Sequence, residues 1–556
     1  MNTLETVMYD WNKINWRKLE QSVFKLQKRI YQATCRDDVK TVHKLQRLLI
    51  KSKAAAFLAV RRVAQINRGK RTAGVDGLAS LTKRERLELV REIMRNPLPP
   101  DSKPVRRVWI PKPGKKEKRP LGIPVMTDRA RQALAKMALE PEWEAKFEPN
   151  SYGFRPGRSC HDAAKAIYSS ILQAQKYVLD ADIAKCFDRI NHAELLKKLG
   201  TFPVLRRAIK AWLKAGMMDD GELFPVSEGT PQGGVISPLL ANVALHGLET
   251  AIRDAFPHTK SLQSQKYKRC WKPRVIRYAD DFVIIHPDLE AIKRAKEIAE
   301  GWLAGMGLEL KASKTRITHS LQAVDGEPGF DFLGFNVRQY PRGQNRCTLN
   351  GARQRTGFTP SIRPSKEAQK RFLRKIREIV HKNRAIPQEG LINLLNPIIR
   401  GWGHYFSAVV SKKVFQKMDH LIYWKLLAWA KRRHPKKSCD WVIRKYWLRG
   451  NQGGYSRFGT GGKSQLFKLS DIPIRRHVKV QGNRSPFDGD AVYWSTRAGK
   501  YPGLRLSISK LVKKQKGFCS RCGLFFMPGD QMVRTQSADC TTGEPVKRWE
   551  LVHRYC

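Results

Sequence analysis

The first part of the chain alternates apolar and basic positions at helical spacing. Between residues 11 and 66, apolar side chains recur every three or four residues, and lysines and arginines fill the positions between them. This period is typical of amphipathic α-helices. The glycines of GKRTAGVDGLA (69–79) then interrupt it. We therefore predict an N-terminal helical extension over residues 1–80, followed by a loop.

Strand patterns follow the helical extension. RRVWIPKPGKKEKRPLGIP (106–124) predicts two short strands joined by a basic Pro/Gly turn. YVLDADIAKCFD (177–188) predicts a short strand that ends at Asp182 and leads into a turn, and RVIRYADDFVIIH (274–286) predicts a hairpin with an acidic tip. Strands of this kind, separated by helical segments, predict a mixed α+β architecture for residues 81–345.

Helical periodicity returns near residue 360. Up to about residue 431, apolar and aromatic positions predict three helices with basic outer faces, so residues 346–432 form a predicted α-helical domain. Its string LNPIIRGWGHYF (395–406) contains three aromatic side chains that either stack on nucleic acid or pack in the core. Residues 433–505 are basic, aromatic and interrupted by glycines, which predicts a loop-rich surface that contacts nucleic acid.

The overall charge indicates a polyanionic partner. The chain has 556 residues, with 106 Lys+Arg against 49 Asp+Glu, a formal net charge of +57 and a pI near 10.3. Such a chain gains free energy from counterion release on any phosphate backbone, so its charge points to nucleic acid without distinguishing RNA from DNA. The sequence has no run of eighteen apolar residues and no signal-peptide core near Met1, so we expect no membrane partner.

Three aspartates are the candidate catalytic residues. Asp280 and Asp281 are adjacent at the predicted hairpin tip, where a solvated β-turn is the alternative interpretation. Asp182, at the end of the earlier strand, supplies a third carboxylate from a separate segment. Hard oxygen ligands from two segments are what a pair of Mg²⁺ ions requires for nucleotidyl transfer. The sequence therefore predicts two Mg²⁺ ions held by these three residues.

Seven blocks in the chain carry a family resemblance. They resemble, in order and spacing, the successive reverse transcriptase motifs of bacterial group II intron-encoded proteins. The blocks are KRPLGIPVMTDRARQ (118–132), NSYGFRPGRSCHDA (150–163), YVLDADIAKCFD (177–188), EGTPQGGVISPLLAN (228–242), RYADDF (277–282), GLELKASKTRI (307–317) and FDFLGF (330–335).

The resemblance implies a right-hand polymerase fold. Residues 81–345 would be the fingers and palm, residues 346–432 the α-helical thumb or maturase domain, and residues 433–505 the DNA-binding region. The implied activity is RNA-directed DNA polymerisation, together with binding of group II intron RNA, assistance of its splicing and copying into DNA during retrohoming. The implied partners are intron RNA, template RNA, a DNA primer or target DNA, and dNTPs. A bacterial, nucleoid-associated cytoplasmic ribonucleoprotein is the expected setting, with an organelle as the alternative.

The same resemblance proposes residues that bind the nucleotide. Lys112 and Arg119 would clamp the triphosphate from the basic hairpin, because both side chains can neutralise phosphate oxygens, with a solvated turn charge as the alternative for each. Phe187 would lie under the sugar, with a core aromatic as the alternative. We include Tyr278 among these residues.

Two further residues complete the predicted substrate site. Gln232, at a glycine-rich loop that opens a helix, would contact the nascent base pair or the sugar, although an ordinary helix-entry loop is the alternative. Lys314 would protonate the leaving pyrophosphate, and Lys311 lies only three residues away.

The C-terminal residues 506–556 depart from the family pattern. Cys519 and Cys522 form one pair and His553 and Cys556 a second, a spacing close to that of structural Zn²⁺ sites, with free surface thiols as the alternative. The position resembles the HNH endonuclease of many of these proteins, but no histidine lies between the two pairs and nothing follows Cys556. We interpret the segment as a degenerate remnant that binds zinc and does not cut DNA.

Three alternatives to this function differ in class. A splicing cofactor without polymerase activity is disfavoured by the presence of all three metal-binding aspartates. A reverse transcriptase of a retron or CRISPR-associated lineage is disfavoured by the long helical thumb and the basic region after it. A DNA-cleaving homing enzyme is disfavoured by the missing histidines of the C-terminal segment.

Overall fold

A computed structural model describes most of the chain. The described residues are 10–111, 117–219, 222–226, 228–257, 259–260, 269–324, 326–343, 346–351, 353–449, 455–461, 464–527, 530–539 and 546–556. The α-helices are α1 Trp16–Thr34, α2 Val39–Ile50, α3 Lys53–Arg61, α4 Lys83–Arg95, α5 Met126–Lys146, α6 Cys160–Ser170, α7 Cys186–Arg189, α8 His192–Leu199, α9 Pro203–Leu213, α10 Ser237–Leu245, α11 Leu248–Asp254, α12 Leu289–Ala304, α13 Lys366–Lys382, α14 Gln388–Phe406, α15 Lys412–Arg433, α16 Cys439–Tyr446, α17 Ala491–Ala498 and α18 Leu506–Lys514.

The strands alternate with these helices. They are β1 Val105–Pro111, β2 Lys118–Ile123, β3 Tyr177–Asp182, β4 Met217–Asp219, β5 Glu222–Phe224, β6 Thr259–Lys260, β7 Arg269–Cys270, β8 Arg274–Tyr278, β9 Asp281–His286, β10 Arg316–His319, β11 Phe330–Phe332, β12 Phe335–Pro341, β13 Phe358–Pro364, β14 Trp447–Arg449, β15 Tyr455–Phe458, β16 Met532–Asp539 and β17 Val546–His553. No helix among the described residues combines the length and the apolar character that crossing a bilayer requires. The mixed α+β architecture predicted from the sequence is confirmed.

The N-terminal helical pattern forms three helices that pack on the fingers. Helices α1, α2 and α3 all contact the long helix α5, which carries the first family-like block. Beyond α5, the hairpin β1–β2 pairs residue by residue from Arg106 with Ile123 to Pro111 with Lys118, and β1 also pairs with β4. The two short strands expected at residues 106–124 are therefore present.

A four-stranded antiparallel sheet separates the two large hydrophobic cores. Its strand order is β10-β3-β9-β8. Along β9, Phe282 and Ile284 belong to the core shared with the N-terminal helices and fingers, whereas Val283 and Ile285 belong to the core shared with the thumb helices. Successive side chains of a strand point to opposite faces, so both faces of this sheet are buried. The unbroken apolar run after Asp281 follows from this double burial.

In residues 346–432, strand β13 precedes the first α-helix. Strand β13 pairs with β12 over seven residue pairs, from Phe335 with Pro364 to Pro341 with Phe358. The sheet β11-β12-β13 therefore joins the segments that the sequence divides at residue 345. Helices α13, α14 and α15 follow, in the number and region that the periodicity predicts.

The aromatic side chains of LNPIIRGWGHYF pack inside the thumb. Trp402 stacks on Phe372 with ring centroids 4.5 Å apart, and Tyr405 stacks on Phe335 at 5.2 Å. Phe406 is buried beside them. Of the two interpretations open for these rings, the structure supports core packing.

One buried carboxylate, that of Asp162, takes part in docking residues 474–505 against α6. Asp162, at the start of α6, is 1% exposed. It accepts hydrogen bonds from His477 Nε2 at 3.0 Å and the Val480 backbone N–H at 2.8 Å, besides those from Ser159. Arg497 contributes a contact at 3.4 Å. Burial on its own would raise the pKa of Asp162, but these donors hold it at about 2, below the usual 3.8.

Acid titration tests whether Asp162 stabilises the docked segment. Its native pKa lies below the unfolded value, so the stabilisation is complete above about pH 4 and is lost as the pH falls towards 2. Between pH 5 and pH 2, the free energy of unfolding of the natural protein should fall about 2 kcal/mol further than that of Asp162→Asn, as measured by urea denaturation. Asp440→Asn, at an exposed ion pair, is the control. Equal pH dependence of all three proteins would contradict this role.

Candidate active site

Three carboxylates meet at one end of the central sheet. Asp182 is the last residue of β3 and pairs with Asp281, the first residue of β9. Asp280 belongs to the two-residue turn between β8 and β9, in which Ala279 adopts a left-handed φ of 59°. Antiparallel register thus places Asp182 directly opposite Asp281, with Asp280 beside it. The structure brings together the three aspartates that the sequence singles out.

The protein leaves much of this negative charge uncompensated. Burial, together with hydrogen bonding to Asp182 and the charge of Asp280, raises the pKa of Asp281 to about 8. Burial and the charge of Asp182 also raise the pKa of Asp280. Like charges at this separation resist ionisation unless a cation joins them. A set of hard oxygen donors with surplus negative charge fits Mg²⁺ well.

One lysine reaches the carboxylates. Lys314 Nζ lies 2.6 Å from Asp182 Oδ2, and its side chain is 49% exposed. Burial would lower the pKa of Lys314, but its hydrogen bond with Asp182 raises it overall. The chain around it is anchored, because the Lys311 backbone N–H donates to the Asp182 carbonyl at 2.8 Å. Lys314 is thus a protonated group beside the metal-binding carboxylates, and Lys311 contributes its backbone.

A buried network holds the acidic turn in place. Arg277 is 3% exposed, and its Nη1 donates to the Ala279 carbonyl at 3.2 Å and to Asn242 Oδ1 at 3.1 Å. Asn242 in turn donates to the Gly153 carbonyl at 2.8 Å. A Cβ at position 153 would overlap the backbone nitrogen of Ala279. The loop after α5 therefore lies directly against the catalytic turn.

The sequence analysis did not identify Arg277, Asn242 or Gly153 as parts of the site. Arg277 lies in the strand pattern RVIRY. A charged residue among apolar neighbours that are buried is a sign of a functional or positioning role, and it was the one local indication of Arg277. Asn242 ends one of the family-like blocks and Gly153 lies in another, but their contact depends on the packing of segments about ninety residues apart. These three residues act on the backbone of the turn and not on the carboxylates, so we treat them as positioning residues.

The nucleotide-binding candidates lie on two segments that pack together. Phe187 is half-buried on the short helix α7, and its ring packs partly against the fingers core. Its carbonyl accepts a hydrogen bond from the Thr230 backbone N–H, and the Cβ position of Gly229, whose φ is 83°, is filled by the backbone of Phe187 and Asp188. The Gln-Gly-Gly loop is therefore fixed against α7.

Gln232 and Arg119 lie near α7, whereas Tyr278 packs against the hydrophobic core on the other face of the central sheet. Gln232 Nε2 donates to Asp188 Oδ1 at 3.3 Å. Tyr278 is partly buried at the end of β8, next to the turn, and burial raises its pKa. Burial raises the pKa of Asp188 and of Asp280, and the charge of Arg119, exposed on β2, partly opposes that rise at both. Lys112 lies outside the described residues, so its predicted contact with phosphate stays a prediction.

The terminal cysteines and histidine converge on one point. The ligand atoms of Cys519, Cys522, His553 and Cys556 all lie within 4.8 Å of one another, and Cys522 Sγ is 3.3 Å from His553 Nδ1. Although burial would raise the pKa of Cys519, backbone N–H groups directed at its sulfur lower it to about 6. Three thiols and one imidazole in this arrangement match the donor set of tetrahedral Zn²⁺ sites.

Asp530 supports this cluster from outside. Its Oδ2 lies 3.2 Å from His553 Nε2, the ring nitrogen that faces away from Cys522. Metal-binding histidines commonly donate their second N–H to a carboxylate, which fixes the tautomer and the ring orientation. Sequence spacing did not indicate Asp530, because the contact forms only when the segment before β16 returns to the end of β17.

Three family models match this chain. Residues 110–337 match reverse transcriptase (RNA-dependent DNA polymerase), and residues 11–93 match the N-terminal domain of reverse transcriptase. Residues 369–447 match the group II intron, maturase-specific domain. The reverse transcriptase match contains Asp182, Asp280 and Asp281, and the maturase match contains α14, α15 and most of α13.

Curated relatives agree with these matches. Protein YkfC of Escherichia coli (strain K12) is 33% identical over 349 residues, which cover 57% of this chain and 88% of that protein. Group II intron-encoded protein LtrA of Lactococcus lactis subsp. cremoris is 31% identical over 315 residues, 45% of this chain and 50% of that protein. Maturase-like protein 1 of Euglena gracilis is 26% identical over 404 residues, 70% of this chain and 76% of that protein. The match to LtrA thus spans half of its length.

The contact between Gly153 and the acidic turn predicts a loss of activity on adding one methyl group. In Gly153→Ala the new Cβ would displace the Ala279 backbone and shift Asp280 and Asp281. We expect nucleotide incorporation on a primed RNA template to fall about a hundredfold, because a misplacement near 1 Å costs that much. Gly301→Ala is the matched control, since its added methyl meets nothing within 4 Å. Equal activity of the two variants would contradict the positioning role.

Proposed function

This chain belongs to the group II intron reverse transcriptase and maturase family, and we propose that it copies intron RNA into DNA at the three-aspartate site. Its enzyme class is RNA-directed DNA polymerase. The observation that carries the proposal is the register of β3 and β9, which places Asp182 opposite Asp281 next to Asp280. A β-turn that merely faces solvent has no need of a third carboxylate from another strand.

The three aspartates would hold two Mg²⁺ ions. When bound, these ions would favour ionisation of a primer 3′-hydroxyl and neutralise the charge of the pyrophosphate that leaves. The carboxylates of Asp182 and Asp280 would supply most of the oxygen ligands, and Asp281 would complete the set. Arg277, Asn242 and Gly153 hold the turn so that these oxygens are in place before the substrate arrives.

The residues around the carboxylates would bind and orient the nucleotide. Phe187 would lie under the sugar, and Arg119 with Lys112 would contact the triphosphate from the β1–β2 hairpin. Gln232 and Tyr278 would contact the nascent base pair or the sugar. Lys314, protonated next to Asp182, is positioned to give its proton to the leaving pyrophosphate. The contact of Gln232 with Asp188 and the ion pair of Lys314 with Asp182 support these proposed roles.

The thumb would grip RNA through the outer face of α15. Lys413, Lys417, His420 and Trp424 follow one another at helical spacing and are exposed, and Trp424 is 54% exposed. Trp424 Nε1 donates to His420 Nε2 at 2.9 Å, which orients the indole ring on the surface. An exposed aromatic ring among lysines suits stacking on an unpaired base beside a phosphate backbone. This surface supports binding of intron RNA and assistance of its splicing.

The terminal cluster would bind zinc without cutting DNA. We propose that residues 506–556 are a degenerate HNH endonuclease module, because no histidine lies between Cys522 and His553 to act as general base. Zn²⁺ at the four ligands would hold the turn after Cys519 against the end of the β16–β17 hairpin. Retrohoming would then depend on a primer that this chain does not generate. We propose a ribonucleoprotein in the bacterial cytoplasm, associated with the nucleoid, with an organelle as the alternative.

Removing one carboxylate separates polymerisation from RNA binding. Asp280→Asn should lower incorporation of dNTPs on a primed RNA template by on the order of 10³-fold, since metal-assisted charge stabilisation contributes several kcal/mol. Affinity for the intron RNA, measured by filter binding, should stay the same. Asp254→Asn, at a surface carboxylate that is 67% exposed, is the control for both assays. Full extension by Asp280→Asn, or no extension by the natural protein, would favour a maturase that only assists splicing.

Zinc content tests the terminal cluster. Inductively coupled plasma mass spectrometry should find about one Zn²⁺ per chain in the purified protein. The Cys519→Ser variant should lack this zinc. Asp530→Ala should retain the four ligands but bind zinc about ten- to a hundredfold more weakly in a chelator competition. Cys439→Ser, at an exposed cysteine of α16, is the control. Zinc content that is unaffected by Cys519→Ser would show that the metal is held elsewhere.

A further inference from the structure

Phe154 lies in a strained conformation beside the active site. Its φ is +59°, in the left-handed region that bulky side chains rarely adopt, and its side chain is 47% exposed. Such a conformation is strained and persists only when its surroundings enforce it. An exposed phenylalanine contributes little burial in return. The combination indicates that the position of this ring serves the site and not the core.

Two backbone hydrogen bonds join the residues just before Phe154 to the strand that leads into the acidic turn. The Tyr152 N–H donates to the Arg277 carbonyl at 2.9 Å, and the Arg277 N–H donates to the Asn150 carbonyl at the same distance. Gly153, the next residue, lies against the Ala279 backbone and is held by Asn242. The loop can therefore place the ring of Phe154 as accurately as the acidic turn itself.

The ring of Phe154 meets Phe187 edge to face. The two ring centroids are 6.3 Å apart and the rings are inclined by 78°. This is a favoured geometry for an aromatic pair. Phe187 also packs on the hydrophobic core shared with the N-terminal helices, so that core and Phe154 together restrict the ring that we place under the sugar. Phe154 thereby connects the segment of Asp182 with the segment of Asp280.

We propose that Phe154 is a positioning residue that holds the Phe187 ring and thereby sets how strongly the site rejects nucleotides carrying a 2′-hydroxyl. The inference rests on the proposed polymerase function and on the place of Phe187 under the sugar. Phe154 acts through Phe187, so removing it should loosen the ring without removing the ring itself. The specificity for dNTPs over rNTPs would then fall while polymerisation continues.

The left-handed φ of Phe154 makes Phe154→Gly a suitable test variant. Glycine adopts φ near +60° readily, so Phe154→Gly deletes the ring and relieves the backbone strain at the same time. Its melting temperature should equal or exceed that of the natural protein, whereas loss of a merely structural aromatic contact would lower it. Phe154→Tyr keeps the ring edge and should retain the natural specificity.

The experiment measures kcat/KM for dCTP and CTP opposite a template G, with the full chain on a primed RNA. For Phe154→Gly we expect the dCTP-to-CTP ratio to fall about three- to tenfold, mainly through faster use of CTP, as expected for losing one aromatic contact. In a Phe187→Ala background, adding Phe154→Gly should change the ratio no further. Phe525→Ala, in a remote edge-to-face pair with Phe518 whose centroids are 5.4 Å apart, is the matched control.

Other outcomes overturn the inference in distinguishable ways. An equal fall in kcat/KM for both nucleotides would show that Phe154 only supports the fold. Additive effects of the two substitutions would show that Phe154 contacts the nucleotide independently of Phe187. If the natural protein incorporated neither nucleotide, the proposed polymerase function would fail, and the role of Phe154 would fail with it.

Discussion

Holding like charges together is the constraint on which this structure depends. Asp182, Asp280 and Asp281 repel one another, and burial adds to that cost, as the raised pKa of Asp281 shows. A flexible turn would relax by moving the carboxylates apart. The central sheet prevents this because both of its faces are packed in hydrophobic cores, so β3 and β9 cannot shift relative to each other. The rigidity of the sheet thus keeps the carboxylates ready for cations.

The same constraint explains why an arginine is buried behind the acidic turn. Arg277 is almost fully enclosed, and its guanidinium bonds to a backbone carbonyl and to an amide instead of to a carboxylate. A direct ion pair would neutralise an aspartate that metal binding requires. By contacting the Ala279 carbonyl, Arg277 fixes the turn from behind and leaves the acidic oxygens free.

Features that depend on local interactions could be predicted from the sequence, whereas features that depend on contacts between distant segments could not. The strands that carry Asp182, Asp280 and Asp281, the β1–β2 hairpin and the three thumb helices follow from local periodicity and turn residues. The roles of Arg277, Asn242 and Gly153 could not be predicted from local patterns, because they depend on contacts between separate segments, 89 residues apart for Asn242 with Gly153 and 35 for Arg277 with Asn242. Asp530 was missed for the same reason. The boundary placed at residue 345 also does not reflect long-range pairing. Strand β13, which follows it, forms a sheet with β12, which precedes it.

Residues 474–505 connect the loop that carries Gly153 and Phe154 with the N-terminal helix α1. Arg158 donates to the carbonyls of Gly482 and Arg484, and the Cβ position of Gly157 is filled by the ring of Trp494. Farther along, Phe487 and Tyr501 pack on Phe24 of α1. The loop that carries Gly153 and Phe154 is therefore enclosed by the catalytic turn on one side and by this segment on the other. The basic segment 474–505 therefore also braces the active site through a few buried contacts.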